Sequence, residues 1–316
     1  MAESISIIIR AYNEAAHLPR LLEGIARQGI RDVETILVDS GSTDETAAIA
    51  RQHGAKVVDI HPEEFSFGRA LNRGIVAASG MIIVIASAHV YPVYPDWLER
   101  LTAPFADPSV ALTYGKQRGM ATTKYSEHQI FARWFPDEPN PRQSHPFCNN
   151  ANAAIRRSLW EQHPYNETLT GLEDLAWAQW ALAQGFGISY IPEAEIIHVH
   201  DEAPRAVFNR YRREGMAFKR LYDEAHFNLY DCARMIAANV LSDMRHARRE
   251  RVLWANWRSI FWLRACQFWG TYRGYRAAHS PLTAPLRQVF YYPRGMQVGE
   301  AVARGAEPIR YNEGEE

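Results

Sequence analysis

Met81-Ile82-Ile83-Val84-Ile85-Ala86, followed by Ser87-Ala88-His89, is the stretch on which the fold of this chain turns. Six apolar residues in succession read as a strand covered on both faces, and a polar tripeptide follows at the point where that strand ends. On either side the same grammar repeats. Residues 5–9, 33–38, 56–60 and 110–114 are further short apolar runs, and between them 17–28, 42–54, 68–79 and 96–105 have helical spacing. Gly29 stops the first of these helices, and Ser42-Thr43-Asp44-Glu45 opens the second.

Strands alternating with helices predict an α/β architecture: a doubly wound, mostly parallel sheet with helices on both faces. Such sheets bind ligands outside the carboxyl ends of their strands. Three polar segments therefore belong to one crevice: Arg10-Ala11-Tyr12-Asn13-Glu14, Asp39-Ser40-Gly41-Ser42 and Ser87-Ala88-His89.

Beyond residue 115 the alternation fails. Pro136, Pro139, Pro141 and Pro146 speak against a continuous helix or strand, so 116–146 is expected to be a long functional loop. Order resumes over 148–159, with a helix over 172–184, a strand over 187–191 and a helical pattern over 203–278. The expected organisation is a ligand-binding α/β domain over 1–202, a C-terminal helical extension over 203–300 and a disordered tail over 301–316.

With 35 basic and 36 acidic residues, the net charge is −1, which does not suit a general nucleic-acid binder. Three cysteines without paired spacing indicate a reducing compartment. The first ten residues carry no basic, apolar leader, and no run is long enough to span a bilayer, so a cytoplasmic location is expected.

Several side chains can carry chemistry. Asp39 ends an apolar strand and can accept hydrogen bonds from a base or ribose, or equally cap a strand-to-helix turn with Ser42. Glu173-Asp174 opens a helix, where carboxylates favour the dipole but can also take a proton from a hydroxyl. His198 and His200 are two apart and share a face in extended chain, as metal ligands or as a solvated edge. Asn149, Asn150 and Asn152 offer amides to sugar hydroxyls or form a turn, and Trp134, Phe135, Phe147 and Trp160 lie in or near the same region. Residues 245–276 hold eight arginines among tryptophans and other aromatics with Glu250 the one acid. That composition suits peripheral membrane contact, packing on the catalytic domain, or a homo-oligomer seam.

In this order the motifs resemble family 2 glycosyltransferases of the GT-A fold, over about residues 4–215. The carriers are Ile7 through Glu14, Val38-Asp39-Ser40-Gly41-Ser42-Thr43-Asp44, Phe67 through Gly74, Gly171-Leu172-Glu173-Asp174 and a late histidine; the third is closest to rhamnosyltransferase-like members. The resemblance implies inverting transfer of a sugar from a nucleotide-sugar donor to the hydroxyl of a glycan or lipid-linked acceptor, in bacterial surface polysaccharide or glycolipid synthesis at the inner face of the cell membrane. Asp174 would be the base, with Glu173 beside it. Ala11, Tyr12, Asn13, Glu14, Asp39, Ser42, Arg69, Ser87 and Ala88 would hold the donor, and Asn150, Asn152 and Trp177 the acceptor. The family's divalent cation, manganese or magnesium, is normally held by Asp-x-Asp, and here Ser87-Ala88-His89 stands in that place. Three alternatives follow: His89 joins His198 or His200 around the metal, arginines neutralise the diphosphate without one, or the chain is an inactive sugar-nucleotide- or glycan-binding scaffold.

Overall fold

The computed structural model describes residues 4–200, 202–280, 283, 290 and 291; the tail expected over 301–316 lies outside them. The first half alternates as the sequence requires: β1 (Ile5–Ala11), α1 (Leu18–Ala26), β2 (Val33–Asp39), α2 (Thr46–Gln52), β3 (Lys56–Asp59), α3 (Phe67–Val76) and β4 (Ile82–Ser87). β1 pairs in parallel with β2 and β4, and β2 with β3. Successive side chains of these strands enter opposite layers. Ile8, Val38, Ile83 and Ile85 pack under Leu71 and Ile75 of α3. Ile7, Ile9, Leu37 and Val84 pack under Leu18 and Leu21 of α1. Burial on both faces is what the unbroken apolar runs encode.

The second half mixes directions. β5 (Val90–Pro92), α4 (Trp97–Thr102), β6 (Val110–Arg118), α5 (Tyr125–Trp134), β7 (Asn152–Arg156), α6 (Arg157–Gln162), α7 (Glu173–Ala183) and β8 (Gly187–His198) complete an eight-stranded sheet of order β3-β2-β1-β4-β7-β6-β8-β5. β7 runs antiparallel to β4 and β6, β5 antiparallel to β8, and β6 parallel to β8. The segment 116–146 is not one long loop: β6 runs through Arg118, and α5 occupies ten residues of it. All four prolines lie beyond Trp134, so they end the helix without preventing it.

Three helices follow: α8 (Pro204–Leu221), α9 (Leu229–Arg249) and α10 (Leu253–Arg276). α8 and α10 touch through glycines. A Cβ on Gly215 would lie 2.8 Å from the Thr271 carbonyl oxygen, one on Gly270 2.5 Å from that of Phe208, and one on Gly274 2.3 Å from that of Arg212. α9 and α10 are fastened to α5 by a buried knot: Arg264 donates to both oxygens of Asp243, at 2.7 and 3.1 Å, and the Ser126 hydroxyl donates to Asp243 at 2.6 Å. Among the described residues no helix is long and apolar enough to cross a membrane.

Candidate active site

Parallel register sets one wall of the site. Ala11 lies opposite Asp39, and Arg10 opposite Ser87, so the polar segments after β1, β2 and β4 leave the sheet at one edge. They open onto a cavity of about 690 Å³ that also receives α7 and α8. Of the residues expected to hold the donor, Ala11, Tyr12, Asn13, Glu14 and Ser87 line it. Asn13 adopts φ 54°, a left-handed conformation that asparagine tolerates, and its side-chain oxygen accepts from the Thr43 amide at 2.7 Å.

Asp39, Ser42, Arg69 and Ala88 do not line the cavity. Asp39 is buried and accepts from the Ser42 amide (3.1 Å) and hydroxyl, stitching the turn that follows β2. Arg69 is drawn away by Glu167, to which its Nε donates at 2.7 Å, and by the Glu64 carbonyl at 2.9 Å. Ala88 is fully buried in the core.

The acidic pair enters the same cavity from the N-terminus of α7. Leu172 takes φ 58° and turns the chain sharply into the helix. Glu173 accepts from Arg10 Nη1 at 2.9 Å. Asp174 is held by two backbone amides, Asn150 to Oδ2 at 3.0 Å and Leu175 to Oδ1 at 2.8 Å, which fix the carboxyl plane. Burial and the negative charge of Glu173 push the Asp174 carboxyl up to about 7. A carboxylate with that affinity is poised to take a proton near neutral pH.

Acceptor-side expectations divide. Asn150 lines the cavity, and its side-chain oxygen is buried without a hydrogen-bond partner. Asn152 and Trp177 do not line it. All of the Asn152 amide is consumed inside the fold: it donates to the Lys116 and Ala194 carbonyls at 3.2 and 2.8 Å and accepts from Trp97 at 2.9 Å. Trp177 is fully buried, its indole N–H bonded to the His163 carbonyl at 2.7 Å. Of the nearby aromatics, Trp134 stacks on Phe147, and Trp160 donates to Asn72.

The three histidines meet. β5 pairs with β8 so that Val90 faces His198, and the Val199 amide donates to the His89 carbonyl at 3.0 Å. One ring nitrogen from each of His89, His198 and His200 thus lies within 4.8 Å of the others. Each Nδ1 already has an oxygen partner: Glu14 at 2.8 Å for His89, Gln117 at 2.8 Å for His198 and Glu127 at 3.1 Å for His200. The Nε2 atoms of His198 and His200 lie 3.1 Å apart. An oxygen on Nδ1 orients an imidazole and presents Nε2, which is how metal-binding histidines are commonly braced. Burial and the neighbouring histidines keep His198 well below its ordinary value and hence neutral, the state a ligand needs. Burial opposes charge on His89, but Glu14 outweighs it and raises its pKa. Glu127 is held down to about 2, against its burial, by Arg210 and His200. The donor set fits a divalent cation of borderline softness better than one demanding oxygen ligands.

Sequence reasoning missed four contributors. Gln117 and Glu127 sit in the stretch taken for a loop. Arg210 and Arg213 on α8 line the cavity. Arg213 lies 4.6 Å from the Phe67 ring centroid, donates to the Phe290 carbonyl at 2.7 Å, and buries its Nε without a partner. Only the apolar spacing of α8 could have shown that it packs on the sheet domain, and nothing local distinguishes its arginines from solvated ones.

Comparison with known proteins places this arrangement. The chain is 27% identical over 225 residues, 67% of its length and 71% of the relative's, to the O-antigen chain rhamnosyltransferase RfbN of Salmonella typhimurium. It is 38% identical over 106 residues, 32% of its length and 41% of the relative's, to a PGL/p-HBAD biosynthesis glycosyltransferase of Mycobacterium tuberculosis. Its fold matches that of a mannosyltransferase from Pyrobaculum calidifontis, solved with GDP-Man and Mn2+, with TM-score 0.61 and 19% identity over 87% of both chains. Glucosyl-3-phosphoglycerate synthase from Mycobacterium tuberculosis follows with TM-score 0.51 and 19% identity, over 70% of this chain and 80% of that one. The fold is of the GT-A type, as the family resemblance implied. Residues 6–163, from β1 through α6, match the model described as glycosyl transferase family 2, and the chain belongs to that family of glycosyltransferases.

Proposed function

We propose that the protein transfers a sugar, with inversion, from a nucleotide-sugar donor to an acceptor hydroxyl, with Asp174 as the general base. The observation that carries this is Asp174 itself: a cavity-lining carboxyl held by two backbone amides, with its proton affinity raised to about 7. One base facing one hydroxyl suits direct displacement at the anomeric carbon, with the acceptor oxygen attacking as Asp174 receives its proton. Glu173, tied to Arg10, keeps the negative charge that sustains the affinity of Asp174. Tyr12, Asn13, Glu14 and Ser87 bound the donor side, and Asn150 meets the acceptor side.

A divalent cation held by His89, His198 and His200 would supply positive charge to the departing diphosphate. Arg213, whose Nε lacks a partner, adds fixed positive charge to the same cavity. The Salmonella relatives favour a deoxyhexose donor of the rhamnose type and a role in bacterial surface glycan synthesis.

Given donor and acceptor, the protein is expected to release nucleotide, and Asp174→Asn to lower kcat by about 10²–10⁴-fold with the fold intact by circular dichroism. Full turnover in that variant would remove Asp174 from its role. The metal site has its own readout: Mn2+ titrated into the protein gives a bound signal by electron paramagnetic resonance that His198→Ala abolishes. Equal binding by this variant would dismiss the three-histidine site and leave the base assignment standing.

A further inference from the structure

We propose that the tip of the α9–α10 hairpin and the first turns of α10 form a docking surface for an anionic lipid bilayer. Trp254 is 87% exposed, Phe261 55%, Trp257 42% and Val252 37%. Positions 254, 257 and 261 recur at helical spacing and lie along one side of α10, while Ile260 and Leu263, on another side of the same helix, are buried. The helix therefore has its own inward face, and the outward aromatics are surplus to the core.

Around this apolar strip stand exposed arginines: Arg245, Arg248 and Arg249 at the end of α9, Arg251 in the connection, and Arg258 on α10. Arg251 takes φ 63° at the turn, and the Arg258 guanidinium rests 5.3 Å from the Trp257 ring centroid. Against these five arginines, Glu250 is the one acid within 245–276. Asp243 is buried against Arg264, and Glu250 accepts the Tyr125 hydroxyl at 2.9 Å. Indoles beside arginines suit the headgroup level of a membrane, where the rings sit at the acyl boundary and the guanidinium groups meet lipid phosphates. A second copy of this chain docked about a two-fold axis would set the same arginines against one another. Since no described helix can span a bilayer, the hairpin would lie on the surface. Lipid phosphate and apolar depth are both required, so a soluble phosphate compound is not an equivalent ligand.

The test uses the full chain with phosphatidylcholine vesicles, with and without phosphatidylglycerol, read by co-sedimentation and by the blue shift of tryptophan emission. Binding to phosphatidylglycerol vesicles that weakens with salt is expected. The combined variant R248Q, R249Q and R251Q should weaken it by about 100-fold. The combined variant W254A, W257A and F261A should weaken it by about tenfold or more, with transfer to a soluble acceptor unchanged. Binding that is equal on neutral vesicles, or unaltered in both variants, would overturn the proposal. So would a dimer, seen by light scattering, that the aromatic variant turns into monomer, since the face would then belong to a second copy. These outcomes leave the transferase reading untouched, because none of these residues lines the cavity.

Discussion

At the residue scale, the proposed chemistry rests on two adjacent acids with unlike surroundings. Glu173 has a guanidinium partner, whereas Asp174 is met only by backbone amides. Because the base must be ionised, activity is expected to rise with pH through an apparent value near 7. Glu173→Gln keeps an oxygen for Arg10 but removes the charge that disfavours ionisation of Asp174, so the rising limb should move to lower pH. Rate profiles of kcat/KM against pH check this, and an unmoved limb would show that burial alone sets the affinity. Stability carries the opposite sign. The folded carboxyl holds its proton above the ordinary 3.8, so this group's contribution to stability declines as pH rises from about 4 to about 7. Acids at a helix start and polar residues at strand ends drew attention to Asp174 and the histidines, and the structure brings them to one cavity. Asn152 and Trp177 were misjudged because an amide or an indole serves a buried hydrogen bond as readily as a ligand.

At the element scale, β5 is only three residues long, yet its pairing with β8 brings His89 to His198 from 109 positions away. No periodicity announces so short a strand, so nothing in the local sequence requires the histidines to meet. α5 was hidden for a different reason: a cluster of prolines coloured a whole segment although every one follows the helix. That helix supplies Glu127 to the site and Ser126 to the knot under α9 and α10. Within this knot Arg264 and Asp243 expose 6% and 4% of their side chains. Arg264→Ala would strand a buried carboxylate and is expected to cost about 3–5 kcal/mol, measured as a fall in the urea midpoint. A loss under about 1 kcal/mol would mean that water reaches Asp243 in the variant and compensates it.

At the scale of the whole molecule, the parallel half of the sheet was legible from strand runs alone, because strands buried on both faces must be apolar throughout. The antiparallel half was not, since direction depends on connections that carry no local signature. An expected boundary at 202 also understates how the parts join: α8 sends Arg210 and Arg213 into the cavity, and its glycines lock it to α10. The consequence is one of timing. The cavity takes residues from position 10 to position 291, so a chain leaving the ribosome carries the residues expected to hold the donor long before the pocket can close. Until the helical extension has emerged and settled, the cavity lacks the residues it takes from α8 and from positions 290 and 291, so activity is expected only once the whole fold is complete. Activity then reports on the completed fold, and lesions in the helical extension would silence the enzyme without touching a reacting group.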